Sequence, residues 1–581
     1  MNVLGITDGI TCGAAAVQDG QILAAVNEER IVRKKMAYGF PSEAIREVLR
    51  LAGWSASDVD RVAVATCNNY FSAGTREWNG WFEGRRDGSL RSTVFDLASM
   101  LGASGNVPAL KTLYFKARAP IFAKRRARIT ELLRDEFDLE ARPAFLNHHS
   151  AHAASAYYTS GFEDALVVTL DGGGDGASSH VYEVRDGHFR RLNEVSSYDS
   201  LGNYYAYITA VCGFKAQKHE GKITGLAAYG QPRHLDMLEG LISYRDGHIR
   251  NVGHLLFRGA LPAIRERLPR DWRREDLAAS VQVHSETIVT DYIRHWLRQT
   301  GLRDVALAGG VFANVKINQR VHEIDEVRRV FVYPAMDDGG LAVGGALLLG
   351  HGGKAGEPGA LAHVYLGPEY TDRDIEKTLV ASNLSYRHSP NIEREIARLL
   401  AGGHVVARFN GRMEYGPRAL GNRSILYTPT DPAVNDWLNK NLKRTEFMPF
   451  APSTLYEEAD RCYEALEGGE TPARFMTMTF QCTAWMRRHC PGVVHLDGTA
   501  RPQLVRREDN ASYYAIIDEF RRLTGLPTVI NTSFNIHEEP IVRSPEDAIR
   551  AFQVGHLDYL AIGTFLVENP QMLRLGRPPA R

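Results

Sequence analysis

The chain has 581 residues, 44% of them hydrophobic and 24% charged, with 69 Lys plus Arg balancing 69 Asp plus Glu. That composition excludes a disordered or collagen-like chain, and roughly 100 to 200 residues per domain gives two to four conventional cores. A formal net charge of zero removes the long-range field with which a protein grips a nucleic-acid backbone along its length, leaving only a local anion site open. The six cysteines, Cys12, Cys67, Cys212, Cys462, Cys482 and Cys490, form no CxxC pair and are too sparse for a secreted disulfide framework. Met1 to Asp8 carries no basic leader, and the longest apolar run, Leu341 to Gly350, is about half of what a bilayer requires. The expectation is a cytoplasmic protein with no signal peptide, no membrane span and no nucleic-acid partner.

In chain order, Val3 to Ile6 reads as a strand, followed by Asp8-Gly9, a small-residue strand Ala14 to Val17, a turn at Asp19-Gly20 and a strand Gln21 to Val26. Pro41 to Ala52 has a helical pattern. Tyr70 to Arg126 reads as irregular and aromatic-rich, with Trp78, Trp81 and Phe82 near basic residues, and Lys124 to Asp138 as a helix with a solvated charged face. The opening plan then recurs as Ala165 to Leu170, Asp171-Gly172, Ser178 to Val184, Asp186-Gly187 and His188 to Asn193. Two unrelated hairpins would look similar, because Asp-Gly is a common turn. Two copies of a strand, an Asp-Gly loop and two antiparallel strands are also what a duplicated ribonuclease-H-like fold shows, the actin-type ATPase architecture with nucleotide between related lobes. Gly350 to Gly359 contains five glycines and a proline and is the best linker, which places the domains at 1–355 and 356–581.

Three groups of residues can carry chemistry. His148 and His152 stand at i and i+4 at the start of a small-residue helix, one turn apart on one face, a spacing that suits two imidazoles on one metal as well as an ordinary histidine pair. The carboxylates Asp337 and Asp338, after a strand from Val330 to Tyr333, turn that pair into an N/O site with open positions, suited to iron(II), manganese or zinc. The second group is Glu220 to Leu226, with Lys222, and Ala308 to Asn314, with Gly309, Gly310 and Asn314; glycines here bring bare N–H groups within reach of phosphate oxygens. The third lies in the C-terminal part, where Arg412, Arg418, Arg423, Lys443, Arg444, Arg501 and Arg543 recur in apolar or glycine-rich stretches. Guanidinium forks match phosphate geometry, so a small phosphorylated substrate fits, with surface salt bridges as the plainer alternative. Asn531 to Asn535, after a strand from Pro527 to Ile530, adds polar groups at a strand end, including Asn531 and Ser533.

The segments 147–153, 220–230, 309–318, 414–426, 444–452 and 531–535 together resemble, in order and over nearly the whole chain, the O-carbamoyltransferases of antibiotic and nodulation-factor biosynthesis. The resemblance implies an α/β chain in which a duplicated ribonuclease-H-like, actin-type domain, similar to the tRNA threonylcarbamoyl-transfer protein, precedes a YrdC-like α/β domain. It implies two steps: carbamoyl phosphate and ATP give carbamoyl adenylate and pyrophosphate, then the carbamoyl group passes to an acceptor hydroxyl of a sugar or natural product and AMP leaves. On this reading the catalytic residues are His148, His152, Asp338, Lys443 and Arg418, with the first three as metal ligands and Asp337 as their neighbour. Arg418, Lys443, Arg444, Arg501 and Asn531, with Ser533 and Arg543, would bind carbamoyl phosphate and the adenylate. Lys222, Gly309, Gly310 and Asn314 would line the nucleotide cleft. ATP with Mg2+ and a divalent metal, iron(II) first among them, are the implied cofactors, and small molecules the only partners; the acceptor and the oligomeric state stay open. Thr11-Cys12-Gly13 stands where many relatives have His-Asp, so that histidine's contribution must come from elsewhere, from His149 or an altered acceptor. Two rivals compete: a threonylcarbamoyl-type tRNA-modifying enzyme, and a non-catalytic actin-like ATPase.

Overall fold

The computed structural model describes residues 1–72, 74–80, 82, 108–352, 359–442 and 447–569, with side chains in the long central helix described from residue 116 onward. Trp81, most of the linker 350–359, and both Lys443 and Arg444 therefore lie outside the described residues. The chain forms two compact units, 1–23 with 36–361 and 24–35 with 362–581.

The chain contains the same five-stranded sheet twice within residues 2–332. One has the order Gln21–Asn27, Gly13–Gln18, Asn2–Thr7, Arg61–Ala65, Pro143–Leu146; the other has His188–Ser196, Ala177–Arg185, Ala165–Gly174, Asp304–Ala308, Arg329–Val332. In each, the central strand runs antiparallel to the strand that follows it and parallel to the fourth, and the fourth runs parallel to the fifth. Strand order and direction together are the ribonuclease-H-like topology in duplicate, so the two Asp-Gly hairpins are copies of one plan. Inner strands such as Gly13–Gln18 and Asp304–Ala308 are buried almost throughout because they are covered on both faces, whereas the edge strand His188–Ser196 exposes Arg190, Arg191 and Glu194.

Between the sheets lie two helices, His148–Tyr158 and Leu341–Gly350, packed on each other and, for the second, on the strand Asn2–Thr7. Leu341–Gly350 is the apolar run of the sequence, and its residues 341–347 are all buried. The crossing is close: a Cβ at Gly344 would stand 1.9 Å from the Ala151 carbonyl oxygen, so only glycine fits there. Asn147 accepts the amide of Ser150 and opens the first helix at the expected place. The irregular segment expected from Tyr70 to Arg126 is helical in its last part, within a helix spanning Pro108–Phe137. Pro120 lies inside that helix, where a ring without an N–H breaks the backbone ladder, and this masks the helical signal in the sequence.

The second unit holds an eight-stranded mixed sheet, ordered Tyr386–His388, Phe565–Glu568, Tyr559–Ile562, Val406–Phe409, Arg423–Tyr427, Thr528–Ser533, Ala451–Leu455, Gln503–Val505. Its faces separate by alternation: Val406, Leu426 and Val529 join the core beneath the helices Ile392–Ala401 and Ala511–Thr524, while Ala407, Ile425 and Ile530 join the larger core opposite. The strand expected to end at Ile530 runs on to Ser533, which puts Asn531 inside the sheet, opposite Leu426 and Ala451. Among the described residues no helix is long and apolar enough to cross a membrane.

Candidate metal centre and substrate pocket

The helix His148–Tyr158 places His148 and His152 with ring centroids 4.8 Å apart. Asp338 enters from the turn after Arg329–Val332; its Oδ1 lies 3.5 Å from Nε2 of each histidine. A fourth residue completes the group: Asp171, in the Asp-Gly loop of the second sheet, lies 3.2 Å from His148 Nε2. Ligand atoms of all four fall within 4.8 Å of one another. Both ring nitrogens of His152 and Oδ1 of Asp338 are buried and make no hydrogen bond. Buried polar atoms are almost always paired, so the unpaired atoms of His152 and Asp338, converging beside the His148–Asp171 pair, fit a divalent cation bound by N and O donors. Burial alone would lower the His148 imidazole, but Asp338 and Asp171 outweigh it and raise it to about 9. Burial would raise Asp171, yet the hydrogen bond and charge of His148 pull it well below the usual carboxylate range.

The neighbouring residues have other duties. His149 is buried, with Nδ1 2.8 Å from the Thr169 hydroxyl and Nε2 3.0 Å from the Ala177 carbonyl oxygen. Burial and the adjacent imidazoles lower it well below the usual range, and with both ring nitrogens engaged within the fold it offers none to the place of the histidine absent at Thr11-Cys12. Asp337 caps the turn by accepting the Gly339 amide at 3.0 Å.

In the proposed nucleotide cleft, Gly309 has φ of 105° and gives its amide to the Met336 carbonyl, while Gly310 donates to Asp171 Oδ1 at 3.0 Å. These amides are engaged within the fold rather than bare. Gly309 is where the backbone packs closest, since a Cβ there would meet the Leu170 carbonyl oxygen at 2.2 Å. Asn314 caps the helix Val315–His322 and exchanges side-chain hydrogen bonds with Gln282. Glu220–Ala227, read as a glycine turn, is a helix, and Lys222 is buried within it.

In the second unit the arginines divide. Arg423 is fully buried, donates to the carbonyls of Asn410, Asn422 and Gly411, and lies 3.8 Å over the Phe409 ring. Burial lowers it to about 10. Arg412 donates to the carbonyls of Leu366 and Gly367. Both are structural, which corrects the reading of them as part of a phosphate cluster: carbonyl oxygens already occupy their forks. Arg418 is instead half-buried on a loop that Glu414 holds from beneath, accepting the amides of Leu420, Asn422 and Arg423. Arg30, from the 24–35 segment, pins the same loop through the Gly416 carbonyl at 2.8 Å.

Asn531 donates through Nδ2 to the Ala419 carbonyl, to Ser453 Oγ and to Gln503 Oε1, at 3.3, 3.0 and 3.0 Å. Those bonds turn its Oδ1 into a buried acceptor with no hydrogen bond. The segments carrying Arg418, Arg501 and Asn531 thus converge. Ser533 bonds to Asn535, and Arg543 donates to the Tyr370 hydroxyl at 3.1 Å. Sequence reasoning missed Asp171 as the fourth member of this group, although the repeated Asp-Gly loop marked it. It also missed Glu414, Ser453 and Gln503, single polar residues whose importance exists only once the sheet brings them to the loop.

Residues 2–347 match the carbamoyltransferase N-terminus family and residues 397–569 the carbamoyltransferase C-terminus family. The nodulation protein NolNO of Sinorhizobium fredii is 33% identical, over 97% of this chain and 81% of its own length. The nodulation protein NolO of Bradyrhizobium diazoefficiens is 35% identical, over 73% of this chain and 79% of its own. Among solved structures, component A of the Acidaminococcus fermentans (R)-2-hydroxyglutaryl-CoA dehydratase is similar over 61% of this chain and 99% of its own, at 15% identity and a TM-score of 0.34. At that score the strand order above, not the likeness, defines the fold. With both halves of the family matched across the greater part of its length, the chain belongs to the carbamoyltransferases, and it is an enzyme of that class.

Proposed function

We propose that the enzyme is an ATP-dependent O-carbamoyltransferase that works through carbamoyl adenylate. The observation that carries this reading is the match of one chain to both the N- and C-terminal carbamoyltransferase families. A carbamate carbonyl is a poor electrophile, and adenylation gives it AMP as leaving group. In balanced form, water cuts the P–O bond of carbamoyl phosphate, releasing phosphate and carbamate. A carbamate oxygen then attacks the α-phosphorus of MgATP, releasing pyrophosphate. The acceptor hydroxyl attacks the carbamoyl carbon, loses its proton, and AMP leaves.

In the second unit Arg418, Lys443, Arg444 and Arg501 supply the cationic charge for phosphate oxygens. The buried Oδ1 of Asn531 is an acceptor suited to the carbamoyl N–H. Ser453 and Gln503 keep that amide from flipping. In the first unit His148, His152, Asp171 and Asp338 would hold a divalent metal, iron(II) being the first candidate. When bound, it supplies Lewis-acid charge stabilisation at a carbonyl or phosphoryl oxygen. The cluster holds its two buried imidazoles among carboxylates. Small molecules are the proposed partners: carbamoyl phosphate, ATP and a hydroxylated acceptor.

Pyrophosphate release from ATP by the purified protein, with and without carbamoyl phosphate, tests the first step without knowledge of the acceptor. Strict dependence on carbamoyl phosphate is the expected result. Phosphate release from ATP with no carbamoyl donor, or pyrophosphate release that needs threonine and bicarbonate, would overturn the proposal.

A further inference from the structure

Beside the metal centre, the backbone departs furthest from local preference at Thr66. This residue follows the strand Arg61–Ala65 with φ of 81°, a left-handed conformation that is a genuine outlier for a β-branched side chain. Glycine would adopt it without cost. The conformation is held from both sides: the Thr66 amide donates to the Leu146 carbonyl at 2.8 Å, and its own carbonyl accepts from Arg125 Nη1 at 3.0 Å. Thus fixed, the hydroxyl lies 3.2 Å from Nδ1 of His148, in buried surroundings. The other ring nitrogen of His148 faces Asp171 and Asp338. Asp175 ties the two segments together, since Oδ2 accepts the amides of His148 and Cys67 at 2.9 and 3.0 Å and Oδ1 accepts that of Asn68 at 2.7 Å.

We infer that Thr66 is a positioning residue for the metal ligand His148, and that its strained backbone is what holds the hydroxyl in place. With the hydroxyl oxygen accepting Nδ1–H, the imidazole is locked in the tautomer whose Nε2 lone pair points at Asp171 and Asp338. Ligating histidines are commonly oriented in this way through the ring nitrogen that does not bind metal, and loss of such a partner weakens metal binding about 10- to 100-fold. The inference rests on the metal-centre reading above and extends it to a residue that would not touch the ion.

The test uses the full-length protein, stripped of metal and titrated with Co2+ against a chromophoric chelator, with the Co2+ absorption bands as a second readout. Thr66→Val keeps shape and strain but removes the hydroxyl, Thr66→Gly removes both hydroxyl and strain, and Thr66→Ser keeps the hydroxyl. Val and Gly should weaken Co2+ binding about 10- to 100-fold and alter the bands, while Ser stays close to wild type. A folded Thr66→Val protein with wild-type affinity and bands would overturn the positioning role alone. If the Val variant does not fold, the Gly and Ser pair decides the question, with equal affinities overturning the role. A wild-type protein that takes up no Co2+ would instead overturn the metal centre, and this inference with it.

Discussion

Asp8 and Asp171 occupy the same place in two copies of one fold, at the end of the central strand, yet their surroundings give them opposite roles. Asp8 is met by Arg125 from the helix Pro108–Phe137, through Nη2 to Oδ1 at 2.6 Å and Nε to Oδ2 at 2.8 Å, and both side chains are buried. Asp171 faces instead the His148 ring and the Gly310 amide. An arginine stays protonated and offers only donors, so it closes the first loop as a structural ion pair. An imidazole can give up its proton, so the second loop keeps a lone pair and a carboxylate for a cation. The role of each acid is set by the cation its neighbouring helix brings.

The comparison breaks most visibly at the second copy. His152→Ala or Asp171→Ala should weaken divalent-metal binding by more than about 100-fold, read by Co2+ titration, because first-contact ligands matter more than their supports. His148→Ala or Asp338→Ala should abolish carbamoyl transfer while leaving pyrophosphate release partly intact, whereas Arg418→Ala or Lys443→Ala should cripple pyrophosphate release. Equal loss of both half-reactions in all four folded variants would contradict this division.

At the first copy the effect should fall on stability. Asp8→Ala leaves Arg125 buried and unpaired, for an expected loss of about 3–5 kcal/mol in chemical unfolding, with Co2+ stoichiometry unchanged in the folded fraction. Replacing both partners by apolar residues should recover much of that loss, because a well-packed apolar pair avoids the desolvation of two charges.

A third acid sharpens the contrast. Glu220 is partly buried, and burial raises it from 4.5 to about 7, against the lowering effect of the Gln217 and Glu220 amides. Its carboxyl therefore ionises earlier in the unfolded chain than in the folded one. Stability should fall as pH rises from 4.5 to about 7 and level off above, by about 2 kcal/mol once partial exposure is allowed for. Glu220→Gln should flatten that slope in urea unfolding followed across the same pH range. The smallest expected effect is at Asn314, where removal of a helix cap by Asn314→Ala should cost about 1 kcal/mol without altering metal binding.

Much of this was legible in the residues. The repeated plan of a strand, an Asp-Gly loop and a hairpin disclosed the duplicated sheets, since each element is written in residues close together in the chain. The His148 and His152 pair was readable because a helix converts a spacing of four into one face. Asp338 was legible from its place after a strand. By contrast, Arg412, Arg418 and Arg423 look equivalent in the chain, and only the carbonyls that the fold brings to the first and third distinguish them. His149 looks like a stand-in for the histidine absent at Thr11-Cys12 until Thr169 and Ala177 are seen to occupy its ring.

By itself the sequence determined the class of fold, the family and the two histidines with Asp338, because each is written in residues close together or in long ordered motifs. The tertiary structure decided which of two equivalent acids joins the histidine cluster and which forms a salt bridge, that a strained threonine stands beside His148, and which arginines are engaged by backbone carbonyls. Those outcomes depend on partners far apart in the chain, 117 residues for Asp8 with Arg125 and 82 for Thr66 with His148. A side chain's charge and shape are local properties, but whether it is paired depends on what the fold places against it.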